Sequence, residues 1–316
     1  MLTKAKFLLA TIQSVAGTPE ALVGTDAILT SGLTITPYGG NTVSRNFDRE
    51  TLGASPQINV NPQVQLQFGV ELAGSGTAGT APGWSALARA CGLEEAVNAG
   101  TSVVYTPRST GYEFITAQYL RSLVSGDQQV HESIDMMGNM QINLVAGELP
   151  MLQFDNFMGA YSSPTAETAV VPDRSAFISP IAATKVNTPT LTLDSVSLCL
   201  QSLNINLNNQ VVRQDRPGCA ATAITDRAIG GTIVFKAPDL DVKDWFTEVE
   251  SHSGTSYVAL NVVHGTASGN IITIAAPQLQ LLGVTEQDVN GEVFYSVPFN
   301  SIPTDAGDDD LSITLT

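Results

Sequence analysis

The segment Gly74-Ser75-Gly76-Thr77-Ala78-Gly79 has the G-x-G-x-x-G spacing that lets a backbone approach a pyrophosphate. It follows an alternating strand, and a helix comes after it. The helix cannot begin before Pro82, however, so its N-terminus is not at the glycines where a phosphate would sit. The strand ahead alternates apolar and polar residues, whereas a dinucleotide-binding strand is buried on both faces. The segment therefore reads as a flexible loop. His131, His252 and His264 stand in separate contexts, with no H-E-x-x-H and no G-x-S-x-G anywhere, and each reads as a turn or surface residue. Cys91, Cys199 and Cys219 lie far apart without a C-x-x-C and read as buried free thiols. Asp305, Asp308, Asp309 and Asp310 lack the ligand pattern of a calcium loop and read as a solvated tail or surface element.

The arginines have two readings. Arg45, Arg49, Arg213 and Arg216 are a large share of 14 basic residues against 30 acidic ones. They sit next to strand ends. They either bridge within their own loops or pair with carboxylates of a neighbouring copy, where a bidentate guanidinium fixes register. A net charge of −16 argues against a grip on nucleic acid or on anionic lipid. Charged residues are only 14% of the chain, against about a quarter in ordinary soluble proteins. A chain so sparsely charged hides much of its surface against partners. No apolar run reaches the length of a membrane helix. Lys4, Lys6 and the short run Phe7 to Ile12 hint at a leader, but Gln13-Ser14 interrupts the run, which reads as an edge strand.

The elements that hold these residues are strands, because the dominant period is two. Val64, Leu66, Phe68, Val70 and Leu72 alternate with Gln65, Gln67 and Glu71. Met140, Ile142 and Leu144 alternate with Gln141 and Asn143, and a turn at Ala146-Gly147 leads back through Leu149, Leu152 and Phe154. Leu203, Ile205 and Leu207 alternate with asparagines, Ile271, Ile272 and Ile274 and then Leu279, Leu281 and Leu282 suggest further strands, and Asn290-Gly291 is a hairpin turn. Two short helices are predicted. One runs after Pro82 to Cys91 with Gly92 as its stop. The other starts near Asp241 as N-cap and places Val242, Trp245, Phe246 and Val249 on one face.

The halves look alike. Asn41-x-Val43-x-Arg45 recurs as Asn209-x-Val211-x-Arg213, with Arg49 and Arg216 following, then a strand, then a Trp-bearing helix. This predicts a mainly β chain of two sandwich or barrel domains, each with a short flanking helix. The first spans 1–161 and the second 191–316. The Pro- and Ser-rich stretch 162–190 forms a linker or extended loop.

Leu33-Thr34-Ile35-Thr36-Pro37 with Val43, Arg45 and Leu52-Gly53 resembles the start of tail tube proteins of long-tailed siphophages. Glu71 to Pro82, Ala90-Cys91-Gly92, Val104 to Pro107, Gly147 to Pro150 and Ile224 to Arg227 are similar to further segments of that family. The resemblance implies a tail-tube fold, closing of subunits into rings and stacking of rings into a hollow tube in the virion. With two tube folds per chain it implies trimeric rings of pseudo-sixfold symmetry. The implied partners are further copies of the chain, a tape measure protein, a tail terminator and distal tail or baseplate proteins, with synthesis in the host cytoplasm. DNA would pass through a negative bore without specific binding. On this reading Gln65, Gln67 and Glu71 face the lumen. Arg45, Arg49, Arg213, Arg216, Gly74, Gly76 and Gly79 lie at subunit interfaces, the glycine loop and the 162–190 region between stacked rings. No catalytic residue, metal or cofactor is expected. A tail terminator, decoration protein or adhesin is the alternative structural reading. A β-sandwich hydrolase would need a convergent carboxylate or histidine pair, and no spacing supplies one.

Overall fold

The computed structural model describes residues 4–122, 126–250, 252 and 254–316. In the first half the elements are β1 (Lys6–Ile12), β2 (Ala27–Ile28), β3 (Thr30–Ser44), β4 (Gln57–Glu71), α1 (Ser85–Ala90), β5 (Leu93–Asn98), β6 (Ser102–Pro107), β7 (Ile115–Ser122), β8 (Gln128–Val145), β9 (Met151–Ala160) and β10 (Thr165–Glu167). The second half follows with β11 (Thr190–Leu193), β12 (Val196–Ser197), β13 (Leu200–Asn206), β14 (Val211–Arg216), β15 (Cys219–Ile224) and β16 (Gly230–Lys236). It ends with α2 (Trp245–Val249), β17 (Val258–His264), β18 (Ile272–Leu281), β19 (Thr285–Val289), β20 (Glu292–Ser301) and β21 (Ser312–Leu315). Every strand pairing is antiparallel, as short connections allow.

The alternation in the sequence sets which face is buried. Val64, Leu66, Phe68, Val70 and Leu72 all enter the core, as do Met140, Ile142, Leu144, Leu152 and Phe154 from the β8–β9 hairpin. Leu149 and Leu282 are exceptions, exposed at turns. Asn290-Gly291 turns β19 into β20 with positive φ at both residues, the geometry a two-residue hairpin requires.

The two halves repeat one pairing pattern. In the first, β1 pairs with β2 and β7, β7 with β8, β8 with β9 and β10, β9 with β4, and β4 with β3. In the second, β11 pairs with β12 and β17, and β17 with β18. β18 pairs with β20 and β21, β19 with β20, β20 with β16, and β16 with β13. Among the described residues the hairpin β5–β6 has no counterpart in the second half, and β21 adds to its β6 edge. The halves are joined at a direct junction: the C-terminal part of β8 pairs with β13, from Val145 opposite Ser202 to Gln141 opposite Asn206. One hydrophobic core runs through both. Within 162–190, β10 pairs with β8, and buried Ala183 packs into the core.

The helices are short and lean on the sheets. α1 buries Leu87, Ala88 and Ala90, Trp84 and Cys91 flank it in the core, and Gly92 ends it with φ 79°. α2 departs from its prediction. Its N-cap is Asp244, whose carboxylate accepts from the amides of Phe246 and Thr247, and not Asp241. Only Trp245 of the helix is buried, while Val242 and Phe246 are exposed. The packing of Trp245 against Phe235 sets where the helix starts.

Candidate assembly surface

The charged side chains around Arg89 and Arg227 find partners within their own chain. Beside α1, Arg89 makes a two-bonded pair with Glu113 at 2.7 Å, and Ser85 and the buried Tyr105 both donate to Glu95. Burial and the Glu95 carboxylate push the Tyr105 phenol far up, so it stays a neutral donor. The Arg89 guanidinium holds Glu113 below its ordinary 4.5, chiefly through their hydrogen bond. The native state therefore binds this proton less readily than the unfolded chain. The pair contributes in full above pH 4.5, and its contribution is lost as pH falls through the lower folded value. Glu113→Gln should cost up to about 1 kcal/mol at neutral pH and flatten the acid side of the stability curve. Urea midpoints of both forms between neutrality and about pH 3 measure this. An unchanged acid slope would mean the pair contributes nothing.

The C-terminal aspartates differ from a solvated tail. Arg227 donates to Asp308 at 2.9 Å and to the Arg108 carbonyl, and the buried Asp310 lies 3.9 Å from its guanidinium. Asp309 closes on Thr304. His264 is also buried rather than superficial. Its Nδ1 meets Thr188 Oγ1 at 2.9 Å and its Nε2 meets the Ile181 carbonyl at 3.1 Å, which pins the 181–188 segment to β17. Of the cysteines only Cys91 is buried, and Cys199 and Cys219 are exposed. Among the described residues no three His, Cys, Asp or Glu side chains gather as a metal site, and no helix is long and apolar enough to cross a membrane.

The glycine-rich loop is packed by its own chain. Gly74 is buried, its N–H donating to Asn270 Oδ1 at 2.8 Å, and the Gly76 N–H donates to the Gly269 carbonyl at 3.0 Å. A Cβ on Gly74 would lie 2.1 Å from the Gly269 oxygen. Gly79, at φ +69°, presses on the Asn98–Thr101 turn, where a Cβ would lie 2.2 Å from the Gly100 nitrogen. The glycines therefore serve a close approach inside the subunit. The loop is thus packed against its own chain at Gly74 and Gly79 rather than free, with Gly76 exposed. Gly79→Ala should cost about 1–3 kcal/mol in a denaturant titration, while Gly53→Ala, with open space around it, should cost almost nothing. Equal effects would remove this explanation.

Gln65, Gln67 and Glu71 do share a face, and it extends across the junction between the halves. Alternation places Gln141 and Asn143 of β8, Gln153 and Asp155 of β9, Asn204 and Asn206 of β13 and Thr232 of β16 on the same side. The side chains bond along the face. Asn204 donates to Asn143 at 2.6 Å, Gln141 to Asp155 at 2.7 Å, and Asn139 to both Asp155 and Asn206 at 2.9 Å. The face is made mostly of amides, with the carboxylates of Glu71 and Asp155 among them.

The arginines sit on two hairpins. β3 and β4 form the longer. Its base is core, but at Gly39-Gly40 and Asn61 the register shifts twice, Gly40 and Asn61 have positive φ, and the arm bends away. Beyond the bend Val43 lies opposite Ile58, both about half exposed, and Val60 continues the same face. Arg45 stacks over Phe47 at the tip, and Leu52 is fully exposed. The shorter hairpin, β14–β15, does not project freely. Its Val211 and Ile224 pack on Met137 and Met158 of the first half, flanked by Tyr112 and Phe114. Asn61 donates to the Arg213 carbonyl, tying the two hairpins at their bases. Arg213 is half-buried with its Nε unpartnered and one donor bond to Thr222. Among the described residues, none of Arg45, Arg49, Arg213 and Arg216 is in an ion pair, so internal bridging does not account for them.

A family model described as phage tail tube protein matches residues 3–316, nearly the whole chain. No curated protein matches it.

Proposed function

This chain belongs to the phage tail tube protein family, a structural component of the virion, and from that premise we propose how it builds the tube. The chain is two copies of one unit, 1–161 and 191–316, joined through 162–190, and three chains close a ring of pseudo-sixfold symmetry. Rings stack into the conduit of a long, siphophage-type tail through which the genome leaves. The chain acts by self-assembly and not by catalysis. The repeated strand pairing supports the two-unit reading.

The observation that carries the proposal is the amide face, continuous across both halves from Gln65 and Gln67 through Asn143 to Asn204 and Thr232. An inner wall of this kind offers DNA no cluster of cations to displace its counterions, so phosphates pass without being held. The bore works through neutral amides as much as through the repulsion a net charge of −16 suggests. The bent β3–β4 arm, with Val43, Ile58 and Val60 uncovered, is the contact to the next subunit. Arg45 and Arg49 there, and Arg213 and Arg216 on the shorter hairpin, find carboxylates on neighbouring copies. Tape measure, terminator and distal tail proteins meet the tube at its inside and its ends, and the chain is made in the host cytoplasm before assembly.

Negative-stain micrographs of the purified, concentrated chain test this. Rings or tubes are the predicted outcome. A monodisperse monomer at every concentration, with no assembly on addition of other tail components, would reject it.

A further inference from the structure

The internal junction is a template for the junction between copies. In the chain, one edge of the β8–β9 hairpin of the first half takes up β13, the strand that opens the second half's sheet. The repeated pairing gives each of these strands a counterpart. β3 is to β4 what β13 is to β16, and β19 is to β20 what the end of β8 is to β9. Burial supports the alignment: Leu33 takes the place of Leu203, and Ile35 that of Ile205. On the other strand Tyr295 and Val297 of β20 take the places of Leu152 and Phe154 of β9. Among the described residues β3 pairs only with β4, and β19 only with β20, so each has one open edge. Pro37 follows Thr36 without an amide to donate, which closes the usable edge of β3 there.

We propose that β19 of one copy pairs antiparallel with β3 of the next, in the register of the internal junction. Thr285 then stands opposite Thr36 as Gln141 stands opposite Asn206, and Gln287 opposite Thr34 as Asn143 opposite Asn204. This rests on the tube reading and names the edges that close its ring. Charge favours the match. β19 carries the exposed Glu286 and Asp288, whereas Lys4 and Lys6 stand at the start of β1, with the Lys6 ammonium donating to the Leu33 carbonyl of β3. The internal junction has Ile142 and Leu144 where β19 has these carboxylates. Charges on an open edge keep a free subunit from pairing indiscriminately, and the lysines of the correct partner answer them.

The test uses the full chain with Cys199→Ser and Cys219→Ser to remove the exposed thiols. Adding Thr36→Cys and Thr285→Cys places two thiols on adjacent strands within disulfide reach. Mild oxidation of the assembled protein should convert the monomer band into covalent dimers and trimers. The mismatched pair Thr30→Cys and Thr285→Cys should leave it unchanged. Hydrogen exchange of the unaltered chain gives a second measurement. Amides in Ser31–Thr36 and Thr285–Val289 should gain protection on assembly. If rings form but the band stays monomeric, or the mismatched pair links equally, or neither segment gains protection, the junction is wrong and the tube reading stands. If the unaltered chain forms no ring at all, both fall.

Discussion

Val43→Asp combined with Ile58→Asp should leave the subunit folded and abolish its assembly. The two side chains lie opposite each other beyond the bend of the β3–β4 arm, 52% and 51% exposed in the single chain. The subunit loses one cross-strand pair of β-branched residues and gains two carboxylates opposite each other, a local cost of about 1–2 kcal/mol on an arm outside the core. In a tube that face is covered. Two carboxylates enter the contact without partners, at about 3–5 kcal/mol each by analogy with a broken buried pair. Either figure weakens the contact by roughly a hundredfold or more, and every contact in the ring carries the change. Sedimentation velocity beside a thermal melt separates the two effects. Tubes of normal length from the double variant would show that the arm is not at an interface.

Trp84→Ala should be the most damaging single change to the subunit, at about 3–5 kcal/mol. Trp84 is 1% exposed, lies 5.1 Å from the Tyr105 ring, and donates from Nε1 to the Ala73 carbonyl at 2.9 Å. It thus ties α1 to the end of β4. The other tryptophan offers an internal comparison. Trp245 is equally buried, stacked edge-on against Phe235, but its Nε1 has no acceptor among the described residues. Replacing each with Phe removes a similar volume and, only at Trp84, a satisfied bond. Trp84→Phe should therefore cost about 1–3 kcal/mol more than its volume alone, because the Ala73 oxygen is left unpaired. Trp245→Phe releases an indole N–H from burial without a partner and should be the milder change. Guanidinium midpoints of the three variants decide the order, and a reversed order for the two Phe variants would contradict this account of α1.

The strands and their buried faces were legible because they follow from local patterns. Alternation over Val64 to Leu72 and over Met140 to Leu144 leaves one face to bury, and the core uses it. The paired Asn-x-Val-x-Arg motifs marked two hairpins before their shapes were known. What was not legible depends on residues far apart in the chain. The aspartates near the C-terminus look solvated until Arg227, 81 positions earlier than Asp308, is brought beside them. His264 gave no sign of burial, because its partners Thr188 and Ile181 come from a stretch that reads as linker. Gly74 and Gly79 looked like freedom of movement and turned out to be close approach to Gly269 and Gly100. The start of α2 was ambiguous in Asp241-Val242-Lys243-Asp244, where either aspartate can cap. The bend in the long arm needs both Gly40 and Asn61, on different strands, and neither alone announces it.

The central claim is that a single amide-covered sheet face, shared by both halves of the chain, becomes the inside of a tube. A cryo-EM map of the assembled protein at side-chain resolution addresses it directly. The account predicts Gln65, Gln67, Asn143, Asn204 and Thr232 on the bore, each repeated three times per ring by three chains. The same residues found on the outer wall, or buried against a neighbouring ring, would contradict it.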